Sequence, residues 1–242
     1  MTATTPSAAP GPALAAPADP RTAAVVLFDV NQTLSDMSEL GERFYDVGIA
    51  AELAETWFAE LLRDGFALTM AGAPRPFTEV AEQSLRALLS GEAVHGGPDV
   101  GLAHIMAAFD AFPMHDDVAD GVQALTGVGR RLVALSNGST DATERLLARS
   151  GLAKEFDRVL SVEDSGSWKP APAAYEYAAR ECGVDVSQML LVAVHPWDVD
   201  GASRAGLQTA WVDRSRRHYP SVFTPPDLHV TGIDDLAAQL TR

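Results

Sequence analysis

The stretch Ala23-Ala24-Val25-Val26-Leu27-Phe28-Asp29-Val30-Asn31-Gln32-Thr33-Leu34 decides how this chain reads. A short apolar run that closes on an acid suits a strand covered on both faces, as in a parallel sheet. Runs of the same kind recur at 131–136, 158–162, 189–194 and 208–213. Helical patterns separate the later ones, at 140–150, 172–182 and 199–205, the last ending at Gly206. Asp141 and Glu144 have the spacing of a capping box at the first of these helices. Strand–helix alternation at such intervals predicts an α/β fold, a doubly wound, Rossmann-like parallel-sheet core.

About a hundred residues separate the first two strands, far more than one crossover helix needs. Leu53, Trp57 and Leu61 recur every four positions, with Phe58 and Leu62 alongside, giving one apolar helix face. Gly72–Pro76 interrupts the pattern, 78–89 resumes it, and Gly96–Pro98 interrupts it again before 102–109. The insert therefore reads as a small helical cap placed just after the first strand. The expected division is a flexible tail at 1–21, a core at 22–36 and 113–242, and a cap at 37–112.

The composition is that of a globular domain with a sizeable core, 47% hydrophobic and 21% charged. A net charge of −15 argues against a nucleic-acid surface, which needs clustered Lys and Arg. It also requires that an anionic small-molecule substrate find a local positive pocket. The single cysteine, Cys182, excludes an intrachain disulfide and fits a reducing cytoplasm. Residues 1–21 lack the basic start and unbroken apolar run of a signal peptide, and no stretch approaches a membrane span. An apolar cap face leaves room for a homodimer or hetero-oligomer.

In open α/β sheets ligands gather at the carboxyl ends of the strands. There the chain places Asp29 and, four residues on, Thr33 after the first strand, and Ser136-Asn137-Gly138-Ser139 after the second. Lys169-Pro170 follows the third, and His195-Pro196-Trp197-Asp198 the fourth. Each alone has a structural account: Asp29, Ser136 or Asn137 capping a turn or helix, Lys169 a solvated charge, Asp198 a helix N-terminal acid. The order Asp, Ser, Lys, Asp at the ends of consecutive strands is far harder to obtain by chance.

These four positions resemble the four motifs of the haloacid dehalogenase superfamily, over about residues 23–240. Leu135–Ser139, Trp197-Asp198 and Trp211-Val212-Asp213-Arg214 are similar to its type II, or L-2-haloacid, dehalogenase branch in particular. The resemblance implies covalent catalysis without metal or cofactor. Asp29 would attack C2 of a small 2-haloacid, and water would hydrolyse the resulting ester. Lys169 would orient Asp29, Asp198 would orient Lys169 or the water, and Thr33, Ser136 and Asn137 would position Asp29 or the substrate carboxylate. Asn31, Phe58, His195 and Trp197 would bound the substrate.

Three positions depart from that branch. Asn31 stands where it carries Tyr. Superfamily phosphatases carry a general acid there instead, and an amide cannot exchange a proton, so Mg²⁺-dependent phosphatase chemistry is disfavoured. His195 replaces an Asn beside the hydrolytic water, as a base or a hydrogen-bonded loop imidazole. Phe58 falls where a halide-receiving Arg is expected, leaving Arg43, Arg63 and Arg75 as cap cations able to compensate. Two alternatives stay open. Asp29 could promote elimination or cyclisation with another leaving group in small-molecule biosynthesis, or the chain could act as a partner subunit.

Overall fold

The computed structural model describes residues 19–241. Of the expected tail, residues 1–18 lie outside the described ones. Residues 19–21 enter a 3-10 turn, Pro20–Thr22, capped by Asp19, and Arg130 donates to the Arg21 carbonyl (2.7 Å).

Six parallel strands form one sheet: β1 (Val25–Phe28), β2 (Arg131–Ser136), β3 (Phe156–Ser161), β4 (Met189–Ala193), β5 (Gln208–Val212) and β6 (Leu228–Val230). Their spatial order is β3-β2-β1-β4-β5-β6. Both faces are apolar because alternate residues serve different cores. Val25, Leu27, Val133, Leu135 and Leu191 face one cluster, and Val26, Phe28, Leu132, Ala134 and Val192 face the other. That double burial is why the strands read as continuous apolar runs. The strand at 228–230 escapes such a reading, being three residues long with exposed His229 at its centre.

Between β1 and β2 lie α1 (Leu40–Asp46), α2 (Leu53–Met70), α3 (Phe77–Leu89), α4 (Pro98–Met106) and α5 (Val118–Gly127). The first four, with a 3-10 turn at Ala107–Asp110, form the cap. Trp57, Phe58, Leu61, Leu85 and Ile105 are buried in it. Helix α5 returns to the core and packs on α9 (Ile233–Leu240). Gly121 makes this possible, since a Cβ there would lie 2.4 Å from the Ile233 carbonyl carbon.

The remaining helices are α6 (Thr140–Arg149), α7 (Pro172–Cys182) and α8 (Pro196–Arg204). Two local expectations are corrected. Helix α6 is capped by Ser139, whose side chain accepts from Ala142 N–H (3.3 Å), so Asp141 sits in the first turn rather than at the cap. Helix α8 starts at Pro196, three residues earlier than expected, because proline is well suited to a first helical position. Trp197 and Asp198 therefore lie in a helical turn rather than in a loop. Cys182 is buried at the end of α7, and burial pushes its thiol up.

Core and cap interlock at Trp168. Its indole N–H donates to the Arg75 carbonyl (2.8 Å) and its ring stacks on Phe77 at 5.6 Å. Gly65 of α2 lets it in: a Cβ there would lie 2.2 Å from the indole. The next residue in the chain is Lys169.

Candidate active site

The chain crosses from β1 to β2 and β3 on one side, then returns to β4 on the other side of β1. The carboxyl end of β1 is thus the point where strand order reverses, and a crevice opens there between diverging connections. Asp29 follows β1 directly, with its N–H donating to the Val192 carbonyl of β4 (3.0 Å). The loop then turns sharply through Gln32, at φ 64°, and brings Thr33 back under Asp29.

Lys169 binds the two acids together. Its Nζ donates to Asp29 Oδ1 (2.7 Å) and to Asp198 Oδ2 (2.8 Å), all three side chains being buried. Thr33 Oγ1 donates to Asp29 Oδ2 (2.5 Å) and accepts from Val194 N–H (3.1 Å), tying β1 to β4. Tyr175 Oη donates to Asp198 Oδ1 (2.6 Å). Both oxygens of each carboxylate are therefore hydrogen-bonded.

Burial by itself would raise the Asp29 carboxyl. The Lys169 charge, then His195, and the bonds from Lys169 and Thr33 bring it below the usual carboxylate range. Burial would lower Lys169, but Asp198 and Asp29 hold its ammonium above the ordinary lysine value. Asp198 stays raised, through burial and the nearby Asp29 charge, despite Lys169 and Tyr175. The result is an ionised Asp29 in a buried site.

The β2 loop supplies the opposite wall. Ser136 Oγ accepts from Gly138 N–H (2.9 Å), and Asn137 Oδ1 accepts from the Lys169 backbone N–H (3.0 Å). The N-terminus of α6 points to the same place, a favourable setting for a carboxylate. His195 Nε2 lies 3.2 Å from the Asn31 carbonyl and 3.8 Å from Asp29 Oδ2. With a hydrogen on Nε2, the imidazole offers an N–H, not a lone pair, toward Asp29. Trp197 stacks on His195 at 4.9 Å and meets Phe66 of α2 edge-on, also at 4.9 Å.

The structure thus gathers Asp29, Thr33, Asn31, Ser136, Asn137, Lys169, His195, Trp197 and Asp198. Phe58 is buried in the apolar cluster shared by cap and core and is not among the residues that line the cavity beside the site. Arg63 pairs with Glu60 and Asp64 at the surface, and Arg75 is exposed. The cation lining the cavity beside the site is Arg145, from the core helix α6.

The roles of two residues, Tyr175 and Arg214, escape a sequence reading. Tyr175 looks like one more buried position of α7. Its place in the first turn after Lys169-Pro170 is the signal, but only packing aims its hydroxyl at Asp198. Arg214, just after β5, donates to the Thr33 carbonyl through Nε (3.1 Å) and Nη2 (2.7 Å), and to Asp117 Oδ1 through Nη1 (2.7 Å).

Fold and site together define a capped α/β protein built around a buried Asp–Lys–Asp bridge. A profile of haloacid dehalogenase-like hydrolases matches residues 23–206, and the chain belongs to that family. Over 215 residues it is 27% identical to (S)-2-haloacid dehalogenase 2 of Pseudomonas sp. strain CBS-3, covering 87% of this chain and 93% of that one. It is 35% identical to haloacetate dehalogenase H-2 of Moraxella sp. strain B over 118 residues, about half of each chain. The fold is that of L-2-haloacid dehalogenase from Xanthobacter autotrophicus, with a TM-score of 0.82 at 23% identity, covering 90% of this chain and 98% of that one. Among the described residues no helix is long and apolar enough to cross a membrane.

Proposed function

We propose that this hydrolase displaces halide from a 2-haloacid, with Asp29 as nucleophile and an ester of Asp29 as intermediate. The observation that carries the reading is the Lys169 bridge, 2.7 Å from Asp29 and 2.8 Å from Asp198. It keeps Asp29 charged in a buried site, as a carboxylate nucleophile requires. Oδ2, bound by the neutral Thr33 hydroxyl, keeps more electron density than Oδ1, bound by the ammonium, and is the oxygen assigned to attack. Its bond to C2 forms as the carbon–halogen bond breaks, and halide leaves with the electron pair. No acid is needed, which makes Asn31 tolerable.

Oδ1 then becomes the ester carbonyl oxygen. Water adds to the Asp29 carboxyl carbon, and Lys169 faces the charge that develops on Oδ1. Cleavage of the bond to the substrate oxygen releases a 2-hydroxyacid, leaving the water oxygen on Asp29. Halide and one proton are the other products. Ser136, Asn137 and the start of α6 are assigned to the substrate carboxylate. Asp198 and Tyr175 hold Lys169 in line, while Asn31, His195 and Trp197 bound the substrate.

A divalent cation does not fit this donor set. Mg²⁺ takes several hard oxygens, whereas all four carboxylate oxygens of Asp29 and Asp198 already accept hydrogen bonds and an ammonium lies between them. Single turnover of a 2-haloacid in heavy-oxygen water, followed by mass spectrometry of the peptide bearing Asp29, tests the reading. One heavy oxygen in Asp29 is the expected result. Label found only in the hydroxyacid would sink the ester route.

A further inference from the structure

A cavity of about 320 Å³ lies between α3, α4 and the Ala107–Asp110 turn of the cap and the β1 and β2 loops of the core, and Val30, the residue after Asp29, is part of its lining. Asn31, from the loop after β1, and Ser136, at the end of β2, line it too. Phe77, Met106, Phe109, Phe112 and Leu146 supply apolar walls. Phe109 meets Phe77 edge-on at 5.7 Å and Phe112 at 5.4 Å, leaving a compact aromatic surface.

Size and charge both narrow what this space can hold. Its volume falls in the range of about 300–1,000 Å³ typical of pockets for drug-sized ligands, so a two- or three-carbon acid would leave much of it to water. Arg145 is engaged by Asp110, with Nη2 at 2.6 Å and Nε at 3.1 Å from Oδ1, and Glu82 adds an unbalanced carboxylate. On a chain of net charge −15, a second anion at this end is repelled.

We propose that this cavity receives the C2 substituent of the substrate, so that the favoured acid carries an uncharged aryl or branched apolar group. The proposal rests on the reading of Asp29 as the group that displaces halide. Met106 suits such a role, since its flexible thioether moulds to apolar shapes. Burying a ring against these walls should raise kcat/KM about 10–100-fold over a methyl group.

Halide release by the full chain is to be compared for 2-bromopropionate, 2-bromo-3-phenylpropionate and 2-bromosuccinate. The phenyl acid is expected to lead by at least tenfold and the dicarboxylate to come last. Ala107→Trp narrows the cavity from the cap and should cut the phenyl-to-methyl ratio at least tenfold. Thr78→Trp is a second plug, should the first not fold. Equal kcat/KM for the phenyl and methyl acids, or a ratio unchanged in a folded plug, would overturn the proposal. If folded protein releases no halide from any acid, the reading of Asp29 fails instead. Calorimetry with 3-phenyllactate and lactate then decides the cavity alone: binding of phenyllactate at least tenfold tighter, and lost in the plug, supports it, and equal binding refutes it.

Discussion

The ammonium of Lys169 lies 2.7 Å from Asp29 Oδ1, with the lysine fully buried and the Asp29 side chain 6% exposed. A second contact, 2.8 Å to Asp198 Oδ2, makes Lys169 the one cation between two buried acids. Removing one partner of a buried pair costs about 3–5 kcal/mol, because the charge left behind is uncompensated.

Lys169→Met should therefore lose that stability and at least a thousandfold in kcat/KM. Adding Asp198→Asn removes one of the two stranded charges, so Lys169→Met/Asp198→Asn should recover part of the stability and none of the activity. Denaturant melts and initial rates on the single and double variants check this. Equal melts would show that the acids do not depend on Lys169.

Tyr175→Phe removes a bond of 2.6 Å to Asp198 and adds nothing. A hydrogen bond to a charged group contributes about 1.5–3 kcal/mol. Since Tyr175 acts through Asp198 and Lys169 rather than on substrate, kcat should fall about tenfold with KM nearly constant. A rise confined to KM would contradict that chain of contacts.

Arg214 reaches the Thr33 carbonyl with two donors and Asp117 with a third, and its side chain is 16% exposed. The planar fork, not charge alone, makes this geometry, so lysine is a poor substitute. Arg214→Lys should loosen the loop that aims Thr33 at Asp29, lowering kcat more than it changes KM. Asp117, which also accepts from Ile233 N–H (2.6 Å), should give a similar split on change to Asn. Wild-type kcat in both variants would remove Arg214 from the positioning network.

The pH profile follows from the signs of two shifts. Asp29 is lowered, so its charged form survives as pH falls below the ordinary carboxylate value of about 3.9. Lys169 is raised, so its contribution is fully present below the unfolded lysine value of about 10.4 and is lost only as pH rises through its folded value. Neither group should limit kcat/KM between about pH 5 and 10. At the acid edge, Asp200 matters for stability: Arg204 and Thr224 hold its carboxyl down at about 2. Its contribution, at most about 2 kcal/mol, is present above the unfolded value and lost as pH falls through the folded one. Asp200→Asn should flatten that acid limb in melts from pH 5 to 2; an unchanged limb would rule Asp200 out.

Much of this was legible in the chain itself. Period-2 burial on both faces makes apolar runs, and β2 and α7 emerge within their expected bounds. Asp29, Ser136, Lys169 and Asp198 could be picked out because strand ends are marked by where apolar runs stop, and a parallel sheet brings those ends together. Local pattern also accounts for the start of α8, since Pro196 suits a first helical position.

What pattern could not supply was contact across the sheet. Tyr175 and Arg214 act through hydroxyl and guanidinium directions set by packing, 23 and 181 residues from the groups they bind. Phe58 has the spacing of a core residue and of a site residue alike, and only the assembled structure shows that it is buried and does not line the cavity. Arg145 belongs to a core helix, yet it meets the cap at Asp110 across the mouth of that cavity. Sequence alone determined the sheet, the cap insertion and the motif residues at the strand ends, because periodicity and chain order are local properties. Tertiary structure decided which charges touch and which walls face the substrate, because those depend on distances between elements that no local pattern encodes.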